Sequence, residues 1–79
     1  MKLNLLFFGV LTESTGHTSL CLEAFTKNSL EELDHQMRQD FPQITSQTYK
    51  TAVNQKMVHP SHMLQDGDEV AFLPPFAGG

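Results

Sequence analysis

Cysteine is nearly absent from this chain: Cys21 stands alone, so no intramolecular disulfide can staple the fold. A reducing compartment, and with it a cytoplasmic location, is the expectation. Positive charge is also scarce. Five Lys and Arg against nine Asp and Glu give a formal charge of −4, and no basic run occurs, so nucleic acid finds no electrostatic footprint. A basic protein partner suits that balance better. No apolar stretch approaches the ~20 residues of a membrane helix. The apolar opening from Leu3 to Leu11 does not read as a signal peptide, because Asn4 interrupts it and Thr12-Glu13-Ser14-Thr15-Gly16 follows as a turn region rather than a small-x-small cleavage site. Gly9 and Gly16 are isolated, which excludes a glycine-rich phosphate loop. No repeat, low-complexity tract or linker is visible.

These shortages leave the body of the chain poor in chemistry. Cys21 lies in a strand-like segment without a neighbour to lower its pKa, and is expected as a buried or half-buried structural thiol. His59 and His62 have a chelating spacing, but Pro60 between them opposes a helix and no third ligand is evident, so no metal site is expected. Asp66-Gly67-Asp68 lacks the downstream ligands of a calcium loop and reads as a tight turn. Glu31 and Glu32 belong to a helix cap. No bound cofactor is implied.

With 79 residues, one domain with a small core is expected, burying ~60% of its unfolded surface. Lys2 to Phe8 carries apolar residues on both parities, the pattern of a central strand buried on both faces; Leu3, Leu5 and Phe7 point one way, Leu6 and Phe8 the other. A short turn or single helical turn follows, closed by Gly16. Thr18 to Phe25 reads as a second strand, antiparallel to the first. Ser29-Leu30-Glu31-Glu32 matches a capping box and opens an amphipathic helix from Leu30 to Asp40, stopped before Pro42, with Glu31, Asp34, Gln36 and Arg38 toward solvent. Residues 43–50 read as a connection. Thr51 to Asn54 and Met57-Val58 are short strands, Met63 and Leu64 add core, and Glu69 to Leu73 forms a last strand, also apolar on both faces. Placing the first and last strands side by side, with the helix across one face, gives an α+β roll with a mixed sheet over residues 1–73.

Residues 74–79 are the chemically distinctive part. Pro74-Pro75-Phe76-Ala77 is an extended lead to Gly78-Gly79, where prolines oppose helix and glycines let the backbone enter a narrow channel. Six extended residues reach about 20 Å. The α-carboxylate of Gly79 is a poor electrophile and needs activation, for which conversion to an acyl-adenylate by ATP is suited. Attack by sulfur would then make a sulfur donor; attack by a lysine amine would make a covalent tag. The two glycines do not choose between them.

The segment Asp66-Gly67-Asp68-Glu69-Val70-Ala71-Phe72-Leu73-Pro74-Pro75-Phe76-Ala77-Gly78-Gly79 resembles the C-terminus of the small, sulfur-carrier subunits of molybdopterin synthase, with support from Leu6-Phe7-Phe8 and Ala52-Val53-Asn54-Gln55. The resemblance implies a ubiquitin-like β-grasp fold with a protruding tail. It implies a non-catalytic carrier whose Gly79 is adenylated at the expense of ATP by an enzyme related to ubiquitin-activating enzymes, then thiocarboxylated with sulfur from a sulfurtransferase. The tail, Pro74 to Gly78 behind Gly79, would enter a channel in the large catalytic subunit and deliver sulfur to a cyclic pyranopterin precursor. An apolar patch of Phe8, Met57 and Leu73 would dock that subunit, provided no bulge alters the parity of Leu73. A thiazole-pathway sulfur carrier and a ubiquitin-like modifier are the alternatives. The first shares the Gly-Gly end but fits Pro74-Pro75 less well, and the second lacks basic residues near the terminus.

Overall fold

The computed structural model describes residues 1–74. Its elements are β1 (Leu3–Phe7), α1 (Val10–Thr15), β2 (Ser19–Leu22), α2 (Leu30–Asp40), a 3-10 helix (Pro42–Ser46), β3 (Lys50–Val53), β4 (Lys56–Met57) and β5 (Glu69–Leu73). The strands form one mixed sheet in the order β2-β1-β5-β3-β4. At its centre β1 and β5 run parallel, and every other pair is antiparallel. The first and last strands therefore lie side by side as expected, and α2 supplies Leu30, Leu33 and Met37 to the core formed with Leu3, Leu5, Phe7, Val53, Val70 and Phe72. Phe7 stacks on Phe72 with ring centroids 5.2 Å apart, which fills the middle of that core.

The two central strands depart from expectation in one respect. Neither is buried on both faces: β1 alternates between buried Leu3, Leu5 and Phe7 and the outward Asn4 and half-buried Leu6, while β5 buries only Val70 and Phe72. A single helical layer covers a single face. The apolar residues of the other parity are left on an open surface of the sheet.

The capping box forms as read. The Ser29 hydroxyl accepts from the Glu32 amide at 3.3 Å, and Glu32 Oε1 accepts from the Ser29 amide at 3.1 Å. Backbone hydrogen bonds from Ser29 and Asn28 hold the Glu32 carboxyl below its ordinary pKa, because they favour the ionised acceptor. Asp34 and Arg38 are half-buried rather than solvated, as is Gln36. For the first two the reason is Tyr49: its hydroxyl donates to Asp34 Oδ1, Arg38 Nε donates to Asp34 Oδ2 at 3.1 Å, and the guanidinium lies 5.0 Å from the Tyr49 ring centroid.

Four further expectations are corrected by packing. Residues 43–50 are more than a connection, since the 3-10 helix buries Ile44 and Lys50 already belongs to β3. Strand β2 stops at Leu22. Register with β1 would set Met1 opposite Ala24, but Met1 exchanges hydrogen bonds with Phe25, at 2.8 and 3.1 Å, so one extra residue bulges and Phe25 turns into the core. Cys21 is exposed, because Leu20 and Leu22 are the inward pair of β2, registered with Leu5 and Leu3. Met63 is 57% exposed and only Leu64 of that pair joins the core.

Register is set at one end of the sheet by the segment from Asp66 to Glu69. Asp66 Oδ1 accepts from the Lys2 amide at 2.6 Å, the Gly67 amide donates to Lys2 O at 2.7 Å, and Asp68 O accepts from the Asn4 amide at 2.9 Å. Asp68 Oδ1 also accepts from Asn54 Nδ2, and Asn54 Oδ1 accepts from the Glu69 amide, each at 3.0 Å. Asn54 and Gln55 both have positive φ, the pattern of a two-residue type I′ hairpin turn between β3 and β4. One turn is thus bound both to the strand beside it and to the turn before that strand.

Replacing Asn54 by Ala is expected to cost about 1–2 kcal/mol, and Asp68→Ala a similar amount. The double variant should cost less than the sum, because the two side chains share a bond. Denaturant titration of the four proteins checks this, and full additivity would show that the clamp is not a unit. Tyr49 yields a second expectation. Burial first, and the hydrogen bond to Asp34 second, raise its pKa above the ordinary 10.0. A folded pKa above the unfolded one means a stabilisation that is complete below the unfolded pKa and fades as pH rises past it. The stability advantage over Tyr49→Phe should be constant to about pH 9 and shrink above about pH 10, measured by denaturation at each pH.

Candidate functional site

Strand β5 leads out of the sheet at Leu73, and Pro74 follows without an N–H to continue the ladder. The candidate site is the surface around that exit. Register places it without ambiguity: Lys50 pairs with Leu73, Thr51 with Phe72, Ala52 with Ala71 and Val53 with Val70, so no bulge interrupts β5. Leu73 accordingly lies on the face opposite buried Phe72 and Val70, on the open side of the sheet.

Two rows of apolar residues cross that side. In the first, Leu6 of β1 pairs with Ala71 of β5, Ala71 with Ala52 of β3, and Ala52 with Met57 of β4. In the second, Phe8 extends the β1–β5 pairing by one residue, its amide donating to Phe72 O at 3.2 Å, which sets it beside Leu73. Phe8 is 45% exposed and Met57 61% exposed, whereas Leu73 is half-buried. Phe8 and Leu73 are therefore direct neighbours. Met57 sits on the edge strand, two strand spacings or roughly 10 Å from β5, joined to the other two through Ala71 and Ala52.

Leu6 lies on this face as alternation predicts, whereas half-buried Ala71 and buried Ala52 are positions that the sequence did not assign to it. Their signal was the Asn54-Gln55 turn. With that turn fixed at two residues, the parity of β3 against β4 follows, and Ala52 and Met57 must share a face. The exit itself is bounded on the β1 side by Gly9, which has φ 58° and ψ −134° and precedes α1. Pro75, Phe76, Ala77, Gly78 and Gly79, the remaining expected tail residues, lie outside the described residues.

Elsewhere the described residues offer little chemistry. No group of three or more His, Cys, Asp or Glu side chains among them is placed to hold a metal ion. His59 Nδ1 is 2.8 Å from Ser61 Oγ and accepts from the Ser61 amide at 3.1 Å, a local turn arrangement. The carboxylates of Asp66 and Asp68 are occupied by the register clamp described above. No helix among the described residues is long and apolar enough to cross a membrane. What the arrangement can do is dock: it offers an apolar sheet face whose central strand leaves the sheet at Leu73 and Pro74.

Known proteins resemble the chain over its full length. The sequence pattern of the ThiS family matches residues 5–79. The molybdopterin synthase sulfur carrier subunit of Mycobacterium tuberculosis (strain H37Rv) is 37% identical over an alignment of 82 residues, covering 100% of this chain and 99% of that protein. Among solved structures, the putative molybdopterin converting factor subunit 1 of Pyrococcus furiosus superposes with a TM-score of 0.88 at 19% identity, over 96% of this chain and 99% of that one, a likeness of fold. A chain in the complex of subunits 1 and 2 of the molybdopterin-converting factor from Helicobacter pylori 26695 matches with a TM-score of 0.72 at 26% identity, with both chains covered completely.

The geometry separates surface from core by one residue. Phe8→Asp should leave the fold intact, moving the thermal midpoint by no more than a few degrees, because an exposed side chain off the core contributes about 0.5 kcal/mol or less. Phe7→Asp buries a carboxylate against Phe72 and Phe41 and should abolish cooperative unfolding. Thermal melts of both variants, followed by circular dichroism, check the assignment; equal effects would place Phe8 in the core.

Proposed function

The chain belongs to the ThiS family, and on that footing we propose that it is the sulfur-carrier small subunit of molybdopterin synthase. It acts as a co-substrate without catalytic residues of its own. The observation that carries this reading is the open apolar row converging on β5, the strand that leads to residues 74–79, in a chain matched end to end by a sulfur carrier subunit.

In this reading the cargo is held at Gly79. A carboxylate is ionised at neutral pH and resists nucleophiles. An adenylyltransferase related to ubiquitin-activating enzymes joins the Gly79 carboxylate to the α-phosphate of ATP and releases pyrophosphate. A persulfide on a sulfurtransferase then attacks the acyl carbon and expels AMP, and a thiol reduces the resulting acyl disulfide, leaving a thiocarboxylate on Gly79 and a disulfide on the thiol's side. Pro74 to Gly78 carry that group into a channel of the large subunit, where catalysis occurs and sulfur passes to the cyclic pyranopterin precursor. Phe8, Leu73 and Met57 dock the large subunit. Such a face, apolar at its centre and left uncovered by the protein's own helices, has the composition of an interface core. The free, exposed thiol of Cys21 accords with work in the cytoplasm.

Intact mass spectrometry of protein from cells that make the cofactor should show exchange of one oxygen for sulfur at the carboxyl end. A branched peptide on a target lysine would instead establish a modifier. Deleting Gly79, or adding one residue after it, should abolish sulfur transfer with an unchanged thermal melt, and retained transfer in either variant refutes the carrier mechanism. Phe8→Asp or Leu73→Asp should weaken binding of the large subunit about tenfold or more, as read by calorimetry.

A further inference from the structure

We propose that Gly9 is a positioning residue for the tail, forming with Pro74 a seat that fixes where the chain leaves the sheet. This rests on the carrier reading above. Three described glycines have positive φ, and a side chain at Gly16 or Gly67 would meet nothing within 4 Å. Gly9 differs. A Cβ built there would lie 2.9 Å from Pro74 Cγ, 3.7 Å from its Cβ and 3.8 Å from its Cδ. The first distance is inside any normal carbon contact, and its partner is a rigid ring rather than the free end of a long side chain.

The seat is held from both sides. Behind Gly9, Phe7 O accepts from Thr12 Oγ1 at 3.1 Å, Phe8 O accepts from the Leu11 amide at 3.1 Å, and Gly9 O accepts from the Thr12 amide at 3.0 Å. The turn into α1 is therefore tied down. Before Pro74, residues 69–72 are paired to β1 and residues 70–73 to β3, so the strand arrives in a fixed register. Pro74 ends the ladder by lacking an N–H, and its φ is confined near −65°. Gly9 is thus a point where the first strand's turn touches the first residue past the last strand. A Cβ at residue 9 must push Pro74 away or distort the turn. Either changes the heading of the chain at its point of departure, five residues before the group that reacts. A displacement of about 1 Å in a reacting group is enough to slow a reaction on the order of a hundredfold.

The test uses thiocarboxylated protein with the large subunit in single turnover, comparing wild type, Gly9→Ala, Pro74→Ala and the double variant. Gly9→Ala should slow sulfur transfer at saturating large subunit about tenfold to a hundredfold. The half-saturating concentration should move less than about threefold, since the docking face is untouched. Pro74→Ala removes the ring atoms that a methyl group at residue 9 would strike, so the double variant should be no slower than Pro74→Ala alone. Strain of the turn alone, which the positive φ of residue 9 imposes with or without the ring, predicts the reverse, a double loss equal to the product of the single ones. That product, or wild-type rate in folded Gly9→Ala, overturns the inference. Should Gly9→Ala fail to fold, Pro74→Ala decides: the wild-type rate without the ring overturns the seat. Wild-type protein that transfers no sulfur refutes the carrier reading and this inference together, whereas normal wild-type transfer with an indifferent Gly9→Ala refutes the inference only.

Discussion

The parallel pairing of β1 with β5 is the constraint on which the rest depends. It joins the two ends of the chain, so it closes only after everything between them has been placed, and a parallel ladder offers no hairpin to fix its register. A slip of one residue would break the shared parity of the two strands: with Val70 and Phe72 kept under α2, Leu6 and Phe8 would join them and Leu5 and Phe7 would be expelled. The safeguard is the cluster of hydrogen bonds from Asp66, Gly67 and Asp68 to Lys2 and Asn4, tied across to Asn54. Side-chain carboxylates there do the job that a turn does in an antiparallel pair.

This changes what the family resemblance means physically. The stretch Asp66-Gly67-Asp68-Glu69 and the stretch Ala52-Val53-Asn54-Gln55 are among the most recognisable parts of the sequence, yet neither touches the docking face with a reactive group. Asp68 and Asn54 meet each other at 3.0 Å. They are register devices, fixing the parallel closure of β1 on β5. Ala52, paired with Ala71 and Met57, is the one residue of these stretches that also lies in the apolar row.

Much of the fold was legible because local chemistry specified it. The capping box at Ser29 and Glu32 set the start of α2, Pro42 set its end, and the apolar parity of residues 3–7 set the core face of β1. What stayed illegible was governed by contacts distant in sequence. The core position of Ile44, the pull of Tyr49 on Asp34 and Arg38, and the bulge that turns Phe25 inward each depend on a partner from another element. Cys21 faces solvent because the pairing of β2 with β1 sends Leu20 and Leu22 inward, a parity that its immediate neighbours in sequence do not reveal. Of the candidate site, Phe8 and Leu73 were readable from alternation, whereas Gly9 was not, since an isolated glycine carries no sign of the ring it faces.

A carrier that reacts at Gly79, as proposed, faces a positional problem that catalytic enzymes solve with side chains. Here the carboxylates of Asp66, Asp68 and Glu32 are engaged in the register clamp and the helix cap. Position must come from the backbone. The sheet gives it in three steps: the clamp fixes the register of β5, the absence of a bulge fixes the parity of Leu73, and the contact at Gly9 fixes the direction in which Pro74 departs. The same parity that sends Leu73 outward also sends out Phe8 and Leu6, so the docking face and the exit are aligned by one geometric fact rather than by separate ones. In the proposed role, partner recognition and delivery are thereby coupled through the pairing of β1 with β5.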